Sequence, residues 1–384
     1  MTRSTLARIG LAAGSALTLA ACIVDLSNLS GGARDGGASG GGTSSSVTTS
    51  SAGGSGGASN PGCAGAVLDC SGCACPEGGC DATPLATGSD ADGPLGVAAS
   101  SDGVFWVNKA GGSILGILAQ GSAPQLLTKV VAPAAIAAAT GRLVFTAQDG
   151  LWTCLLPGCD ASKKHYATPI APGSIQNVAY DGQLIYWADR GNDGNAGNGR
   201  VWRCDPADDC ASPTLVADQQ LFPQGLFLTT DSLFWISQGN GQSNGSVHKS
   251  PRTGSGQIDL AASQVLPTGL AADDTYVYWT QATMSGKVMR CDHTLGYCMT
   301  PSDVAPKAGE LGLPLDLAIA GARIYWNENS KGTISSCPLP GCSATETPRI
   351  HASGRAGVHR LAVGSSCLFW TDDVNGGSVD KAGR

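Results

Sequence analysis

An apolar doublet recurs along the chain, each time after a short run of small apolar residues and before a turn rich in Gly, Asn or Asp. Seven copies of the doublet end on Trp106, Phe145, Trp187, Trp235, Trp279, Trp326 and Trp370. Successive anchors lie 39 to 48 residues apart, a period that is typical of solenoids and β-propellers.

Each copy is built from short apolar or alternating runs that are rich in β-branched and aromatic residues, as residues 268–280 illustrate (TGLAADDTYVYWT). Runs of this length, bounded by Asp, Gly and Ser, indicate strands. The copies carry no sustained helical stripe, which a helical repeat would need. Four short strands per copy at this period predict an all-β fold of propeller blades.

Three copies, at residues 186–189, 278–281 and 369–372, read YWAD, YWTQ and FWTD. They resemble the YWTD repeat of receptor-type β-propellers and, more loosely, NHL-type repeats. The resemblance covers about residues 81–384 and implies a propeller fold, but no particular activity, since propellers host many functions. YWTD propellers usually have six blades, whereas this chain has seven copies, of which the second (VFTA, residues 144–147) has no Trp.

The last copy is incomplete. After Trp370 the chain has room for one more strand, residues 377–381. The N-terminal residues 80–87 (CDATPLAT) resemble residues 210–217 (CASPTLVA), which form a fourth strand in another copy. We therefore predict that the N-terminal strand completes the last blade and closes a seven-bladed β-propeller, which removes exposed sheet edges. An open or an eight-bladed form is the alternative.

The N-terminus predicts export. Residues 1–21 combine Arg3 and Arg8 with an apolar run that is too short for a stable membrane span, as in a signal peptide. The run ends in LAAC (residues 19–22), which resembles the bacterial lipoprotein box and implies cleavage before Cys22 and lipidation of this residue. Ile23, rather than Asp, follows the cysteine, which resembles outer-membrane lipoproteins.

Three segments follow the predicted signal peptide. Residues 22–62 comprise the lipidated Cys22 and a flexible tether rich in Gly and Ser, because this composition cannot bury enough apolar surface to offset its ordering entropy. Residues 63–80 form a Cys-rich segment, and residues 81–384 form the propeller.

Charge narrows the range of partners. The formal net charge is −7, and removal of residues 1–21, which contain two Arg and no acidic residue, gives −9. An acidic chain without a basic face argues against nucleic acid. We expect contact with the membrane through the lipid anchor only, a monomer, and an unknown peptide, glycan or envelope partner. We expect no cofactor and no metal, since the five His residues show no metal-ligand spacing.

The fifteen cysteines predict disulfides, because an exported chain experiences oxidising conditions. Four pairs lie between the third and fourth strands of their copies: Cys154 and Cys159, Cys204 and Cys210, Cys291 and Cys298, Cys337 and Cys342. Zinc is the alternative, but it needs four converging ligands. Cys367 has no counterpart in other copies, and we predict that it bonds one of Cys63, Cys70, Cys73, Cys75 and Cys80 and fastens the ring closure. A zinc knuckle at residues 63–80 is the alternative for this segment.

The predicted binding face is the one where the loops entering each first strand meet the loops joining the second and third strands. It gathers a polar set of mixed charge: Gln176, Asn177, Asp189, Arg190, Gln224, Asp316, Glu328, Asn329, His359, Arg360, Asp372 and Asp373. His359 with Asp316 or Glu328 is a candidate catalytic group, although such residues also cap turns in solvent. Residues 189–199 resemble the start of a calcium loop but lack the closing acidic ligand.

The leading interpretation is a lipid-anchored cell-envelope propeller that acts as a binding or interaction module, on the outer membrane and facing the periplasm or the cell surface. A propeller lyase or hydrolase that uses His359 and nearby acids is the second, and a purely structural envelope protein is the third. The six Trp residues at the anchors, of eight in the chain, are expected in the core between blades rather than on a sugar-binding surface.

Overall fold

Seven four-stranded antiparallel sheets make up the fold. The computed structural model describes residues 67–70, 82–166, 174–191, 197–254, 256–355, 357–374 and 376–384. The predicted all-β, seven-bladed propeller is confirmed, and its helical content is one four-residue turn, α1 (Cys159–Ser162), with short 3-10 turns at Gly88–Ala91, Pro206–Asp208 and Pro306–Ala308 within those ranges.

The chain enters through one strand, β1 (Thr83–Thr87), and then forms six blades in sequence order. Blade 1 contains β2 (Pro94–Ser100), β3 (Gly103–Asn108), β4 (Ser113–Leu118) and β5 (Gln125–Lys129). Blade 2 contains β6 (Ile136–Ala139), β7 (Arg142–Ala147), β8 (Gly150–Leu155) and β9 (Lys164–Tyr166). Blade 3 contains β10 (Ile175–Tyr180), β11 (Ile185–Asp189), β12 (Gly199–Cys204) and β13 (Thr214–Gln220).

The remaining blades repeat this order. Blade 4 contains β14 (Pro223–Leu228), β15 (Ser232–Ser237), β16 (Gly245–Pro251) and β17 (Ile258–Gln264). Blade 5 contains β18 (Pro267–Ala272), β19 (Tyr276–Gln281), β20 (Val288–Asp292) and β21 (Ser302–Asp303). Blade 6 contains β22 (Leu317–Ala320), β23 (Arg323–Glu328), β24 (Thr333–Pro338) and β25 (Arg349–Ala352). Blade 7 contains β26 (Val358–Val363), β27 (Cys367–Asp372), β28 (Ser378–Gly383) and the entering strand β1.

The aromatic doublet explains how the blades pack. All six anchor Trp side chains are fully buried. Successive residues of a strand point to opposite faces of the sheet, so the anchor faces the preceding blade and the residue before it faces the next blade. Trp279 therefore shares a cluster with Phe234 of blade 4, and Trp326 shares one with Tyr278 of blade 5. The same contact recurs at all seven interfaces, ending where Trp106 of blade 1 meets Phe369 of blade 7.

The side chain at the third motif position forms hydrogen bonds to a first strand, either of its own blade or of the next blade. The Thr280 hydroxyl accepts a hydrogen bond from the Gly269 amide at 2.8 Å, next to a register shift in β18. Thr371 donates to the Leu95 carbonyl of blade 1 at 2.8 Å, and Asn327 donates to the Val358 carbonyl of blade 7 at 2.6 Å. These bonds satisfy backbone groups that the ladder leaves unpaired at the bulges.

The ring closes as the sequence predicts. Strand β1 pairs antiparallel with β28, with Thr83 opposite Lys381 and Thr87 opposite Ser378. The predicted link from Cys367 to an N-terminal cysteine is also confirmed, since a disulfide joins it to Cys70 across 297 residues. The Lys381 ammonium donates to the Val67 carbonyl at 2.5 Å, which fixes the same segment on blade 7.

The four hairpin disulfides are present as predicted, at Cys154–Cys159, Cys204–Cys210, Cys291–Cys298 and Cys337–Cys342. The predicted signal peptide (residues 1–21), Cys22 and the tether (residues 22–62) lie outside the described residues, as does most of the Cys-rich segment (residues 63–80). Within the described part of the chain, no helix has the length and apolar character needed to cross a bilayer.

Candidate functional site

A cavity of about 210 Å³ lies at the mouth of the central channel. The ends of the second strands and the starts of the first strands of several blades meet there, because each first strand lies innermost in its sheet. We call this cavity the channel mouth. Its lining consists of Leu95, Lys109, Ala132, Ala134, Thr146, Ala147, Gln148, Ile175, Gln176, Gln224, Leu315, His359 and Arg360.

Two sets of blade-equivalent positions supply most of the polar lining. One set lies three residues after each anchor: Lys109, Gln148, Arg190, Gln238, Ala282, Asn329 and Asp373. The other set lies at or just before the start of each first strand: Leu95, Ala134, Gln176, Gln224, Thr268, Leu315 and His359. Each blade therefore places one side chain from each set on this face, and the identities of these side chains set the local chemistry.

The His359 imidazole contacts the Asp373 carboxylate within blade 7. The His359 Nε2 lies 3.0 Å from the Asp373 Oδ2, and the two side chains are 9 % and 10 % exposed. His359 lines the channel mouth, so its ring is held by a carboxylate on one side and borders the cavity. A histidine that a carboxylate orients in this way is a candidate proton acceptor.

Asp316 lies behind Arg360 at the junction of blades 6 and 7. Its Oδ2 accepts a hydrogen bond from the Leu361 amide at 2.9 Å, and its Oδ1 lies 4.0 Å from the Arg360 Nη1. Burial raises the pKa of Asp316, while the Arg360 charge and the backbone hydrogen bonds act in the opposite direction. Asp316 therefore contacts Leu361 and Arg360, and the carboxylate that pairs with His359 is Asp373.

Glu328, the other acid considered beside His359, has structural partners. Its Oε2 forms an ion pair with the Lys331 ammonium at 2.8 Å and accepts from the Gly312 amide at 3.2 Å. Only 7 % of its side chain is exposed. These contacts join the turn between β23 and β24 to the segment before β22, and they satisfy the carboxylate without a ligand.

Four further predicted residues make local contacts. The Asn177 side chain accepts from the Val178 amide, the Asp189 side chain from the Gly191 amide and the Asp372 side chain from the Val374 amide. The Arg190 guanidinium lies over the Phe222 ring at 4.9 Å. Burial, the largest cause, and the nearby Asp380 and Asp373 raise the pKa of Asp372. Of the predicted polar set, Gln176, Gln224, His359 and Arg360 line the channel mouth, whereas these four do not.

Lys109 and Gln148 line the cavity in blades 1 and 2 but were not among the residues predicted from the sequence. The signal was present, because both lie three residues after an anchor, as Arg190 and Asp373 do. In blade 2 the anchor is Phe145 rather than Trp, which weakened the motif there.

Metal binding finds no support in the described ranges, where no group of three or more His, Cys, Asp or Glu side chains could hold an ion. The candidate calcium loop (residues 189–199) lies partly outside those ranges.

No protein-family model and no curated protein matches the chain. Solved structures do. A structure of streptogramin B lyase is similar with a TM-score of 0.61 at 15% identity over 78% of this chain and 96% of that chain. Kuenenia stuttgartiensis hydrazine synthase gives 0.60 at 14% identity, covering 76% and 96%, and the computationally designed Ika8 protein gives 0.52 at 14% identity, covering 78% and 99%. At these identities the similarity shows the β-propeller fold alone.

Proposed function

We propose that this protein is a lipid-anchored propeller of the cell envelope that acts as a binding module through its channel mouth. The observation that carries the binding role is the cavity itself. It lies where the blades converge, and seven polar side chains from five blades border it: Lys109, Thr146, Gln148, Gln176, Gln224, His359 and Arg360. A concave site with convergent polar groups is the ordinary form of a ligand site.

The envelope location has separate support. Five disulfides connect described residues, and such bonds persist in compartments outside the reducing cytosol. Residues 1–21, which resemble a signal peptide, and the LAAC sequence ending at Cys22 support export and attachment to the membrane.

Photo-crosslinking tests the binding face. A benzoylphenylalanine at Gln148, an exposed residue of the channel mouth, is expected to give a specific adduct in cells that produce the full-length chain. The matched control replaces Glu346, which is also exposed and lies in the opposite-face loop between β24 and β25. Mass spectrometry identifies the adduct. Equal adducts from both positions, or none from Gln148, would refute binding at the channel mouth and favour a structural role.

Lipidation is tested with Cys22→Ser. Incorporation of labelled palmitate and recovery in the membrane fraction are expected to disappear in this variant and to persist in Cys63→Ser, which alters a cysteine of the neighbouring segment. Membrane recovery of Cys22→Ser at the level of the unchanged chain would rule out the anchor.

A second candidate function is catalysis of a lyase or hydrolase reaction. The observation in its favour is the His359–Asp373 pair at 3.0 Å beside the cavity, because an oriented imidazole is a usual general base. The similarity to streptogramin B lyase indicates only that the fold carries a lyase in that protein. Loss of a detected activity in His359→Ala and in Asp373→Asn, with unchanged circular dichroism, would favour catalysis. An activity that survives both substitutions would exclude this pair from the chemistry.

A further inference from the structure

Among the residues that the structure describes, the ionisable side chains that line the channel mouth are all basic. Lys109, His359 and Arg360 line the cavity, and its other polar side chains are Thr146 and three glutamines. Among the described residues, neither Asp nor Glu lines the cavity, although the chain carries 30 acidic residues against 23 Lys and Arg. In the described part of the chain, the cationic side chains thus line the cavity without a carboxylate beside them in the lining, which favours an anionic ligand.

Two acidic side chains lie next to His359 and Arg360 and are not among the lining residues. Asp373 contacts His359 at 3.0 Å, and Asp316 lies 4.0 Å from the Arg360 guanidinium while it accepts from the Leu361 amide. The Asp316 and Asp373 side chains are 16 % and 10 % exposed, whereas that of Arg360 is 32 % exposed. A carboxylate behind a cation orients it and leaves its other donors to face the cavity, since a guanidinium has five N–H groups.

One buried donor of the lining has no hydrogen-bond partner among the described residues. The Gln224 Nε2 is inaccessible to solvent and makes no hydrogen bond to any described residue, and Gln224 lines the channel mouth. A buried amide donor without an acceptor costs about 1–3 kcal/mol. A rotation of the Gln224 side chain would turn this amide toward the cavity, where an acceptor-only group such as a carboxylate would satisfy it together with the neighbouring cations.

The apolar lining and the volume limit the size of the ligand. Leu95, Ile175 and Leu315 supply the largest apolar surfaces, which suit a short carbon skeleton. A volume of about 210 Å³ lies below the range of about 300–1,000 Å³ that drug-sized ligands occupy.

We propose that the channel mouth binds a small organic acid, with its carboxylate held by Arg360 and Lys109 and a second acceptor held by Gln224. This inference rests on the proposed binding function and narrows it to a ligand class. Arg360 is on blade 7 and Lys109 follows the second strand of blade 1, so the site is complete only when the ring is closed.

Isothermal titration of the purified protein with acetate, succinate and citrate tests the inference, at an ionic strength held constant with NaCl. Succinamide, which replaces both carboxylates of succinate by neutral amides of the same shape, is the matched ligand control. At least one acid is expected to bind, and if it is succinate, succinamide is expected to bind at least tenfold more weakly.

Three variants locate the site. Arg360→Gln removes one charge and is expected to weaken binding of the acid about tenfold, as expected for a lost charge-assisted hydrogen bond. Gln224→Glu replaces the buried donor by a like charge and is expected to abolish binding. Lys307→Gln makes the same change of charge as Arg360→Gln at an exposed residue outside the cavity lining, and is expected to leave the affinity unchanged.

Each outcome has a distinct meaning. Equal affinity for succinate and succinamide, or unchanged binding in Arg360→Gln, overturns the preference for an acid and leaves the binding function standing. No binding of any of the three acids overturns this inference, while the crosslinking at Gln148 still decides the binding function. Because Gln224→Glu buries a carboxylate and could unfold the protein, Arg360→Gln, at a side chain that is 32 % exposed, carries the test on its own.

Discussion

The sharpest prediction on stability concerns His351, because its hydrogen bonds fit a neutral imidazole ring. It lies on β25, is fully buried, and links blade 6 to the last strand of blade 7. Its Nδ1 is 3.3 Å from the Gly383 carbonyl, which can only accept, so the Nδ1 carries the proton. Its Nε2 then accepts from the Ser336 hydroxyl at 2.9 Å. That hydroxyl in turn accepts from the Arg323 guanidinium at 3.0 Å.

The size of the expected loss in unfolding free energy follows from the pKa of His351. Burial lowers the pKa of His351 from 6.5 to about 4, with Arg349 and Arg323 acting in the same direction and the Gly383 hydrogen bond against it. Between these values the unfolded chain binds a proton that the folded protein does not bind. Stability from this group is therefore complete above about pH 6.5 and falls until about pH 4. At about 1.4 kcal/mol per pKa unit, the loss is about 3 kcal/mol.

Urea unfolding, followed by tryptophan fluorescence at pH 7.5 and at pH 4.0, measures this loss. The variant His351→Gln keeps a donor and an acceptor but does not titrate, and the other titrating groups are common to both proteins. The unchanged protein is expected to lose about 3 kcal/mol more than the variant between the two pH values. Parallel losses would refute the assignment of a neutral, buried imidazole.

Two further predictions concern the ring closure and the contact between neighbouring first strands. Replacing both cysteines of the Cys70–Cys367 disulfide by Ser is expected to lower the unfolding free energy more than twice as much as the same change at Cys154–Cys159, as urea unfolding will show. The closed loops span 297 and 5 residues, which in the chain-entropy model correspond to about 6 and about 2 kcal/mol. Gly269→Ala is expected to cost about 1–3 kcal/mol by the same assay, because its Cβ would lie 2.7 Å from the Asp316 Cα. Gly158→Ala, which meets no atom within 4 Å, is the control.

The outcomes that would contradict these two predictions are simple. Equal losses from the two disulfide variants would mean that the N-terminal link restricts the unfolded chain no more than a hairpin does. A Gly269→Ala protein as stable as Gly158→Ala would mean that the first strands of blades 5 and 6 separate without cost.

The doublets made the fold predictable from the sequence. A doublet such as Tyr278-Trp279 places two large side chains on opposite faces of one strand, and a strand buried on both faces needs a sheet on each side. Seven such strands at one period leave few arrangements besides a ring of blades. The pairing of β1 with β28 was also readable, because the last copy lacked one strand and the N-terminus supplied one.

The candidate site could be predicted only in part from the sequence. Gln176, Gln224, His359 and Arg360 were expected on one face and line one cavity, together with Lys109 and Gln148, which were not predicted. Asp373 rather than Asp316 or Glu328 contacts His359. Local strand geometry fixes which face a residue reaches, whereas its partners depend on rotamers and on neighbouring blades.

The sequence by itself determined the repeat, the number of blades, the pairing of the two chain ends and the hairpin disulfides, because each depends on periodicity or on short spacing. Only the tertiary structure decided which side chains share the channel mouth. Lys109 and Arg360 are 251 positions apart, and they line one cavity because the closed ring brings blade 1 beside blade 7. Periodicity specifies what each blade presents, but the charge of the cavity is a sum over blades that exists only after closure.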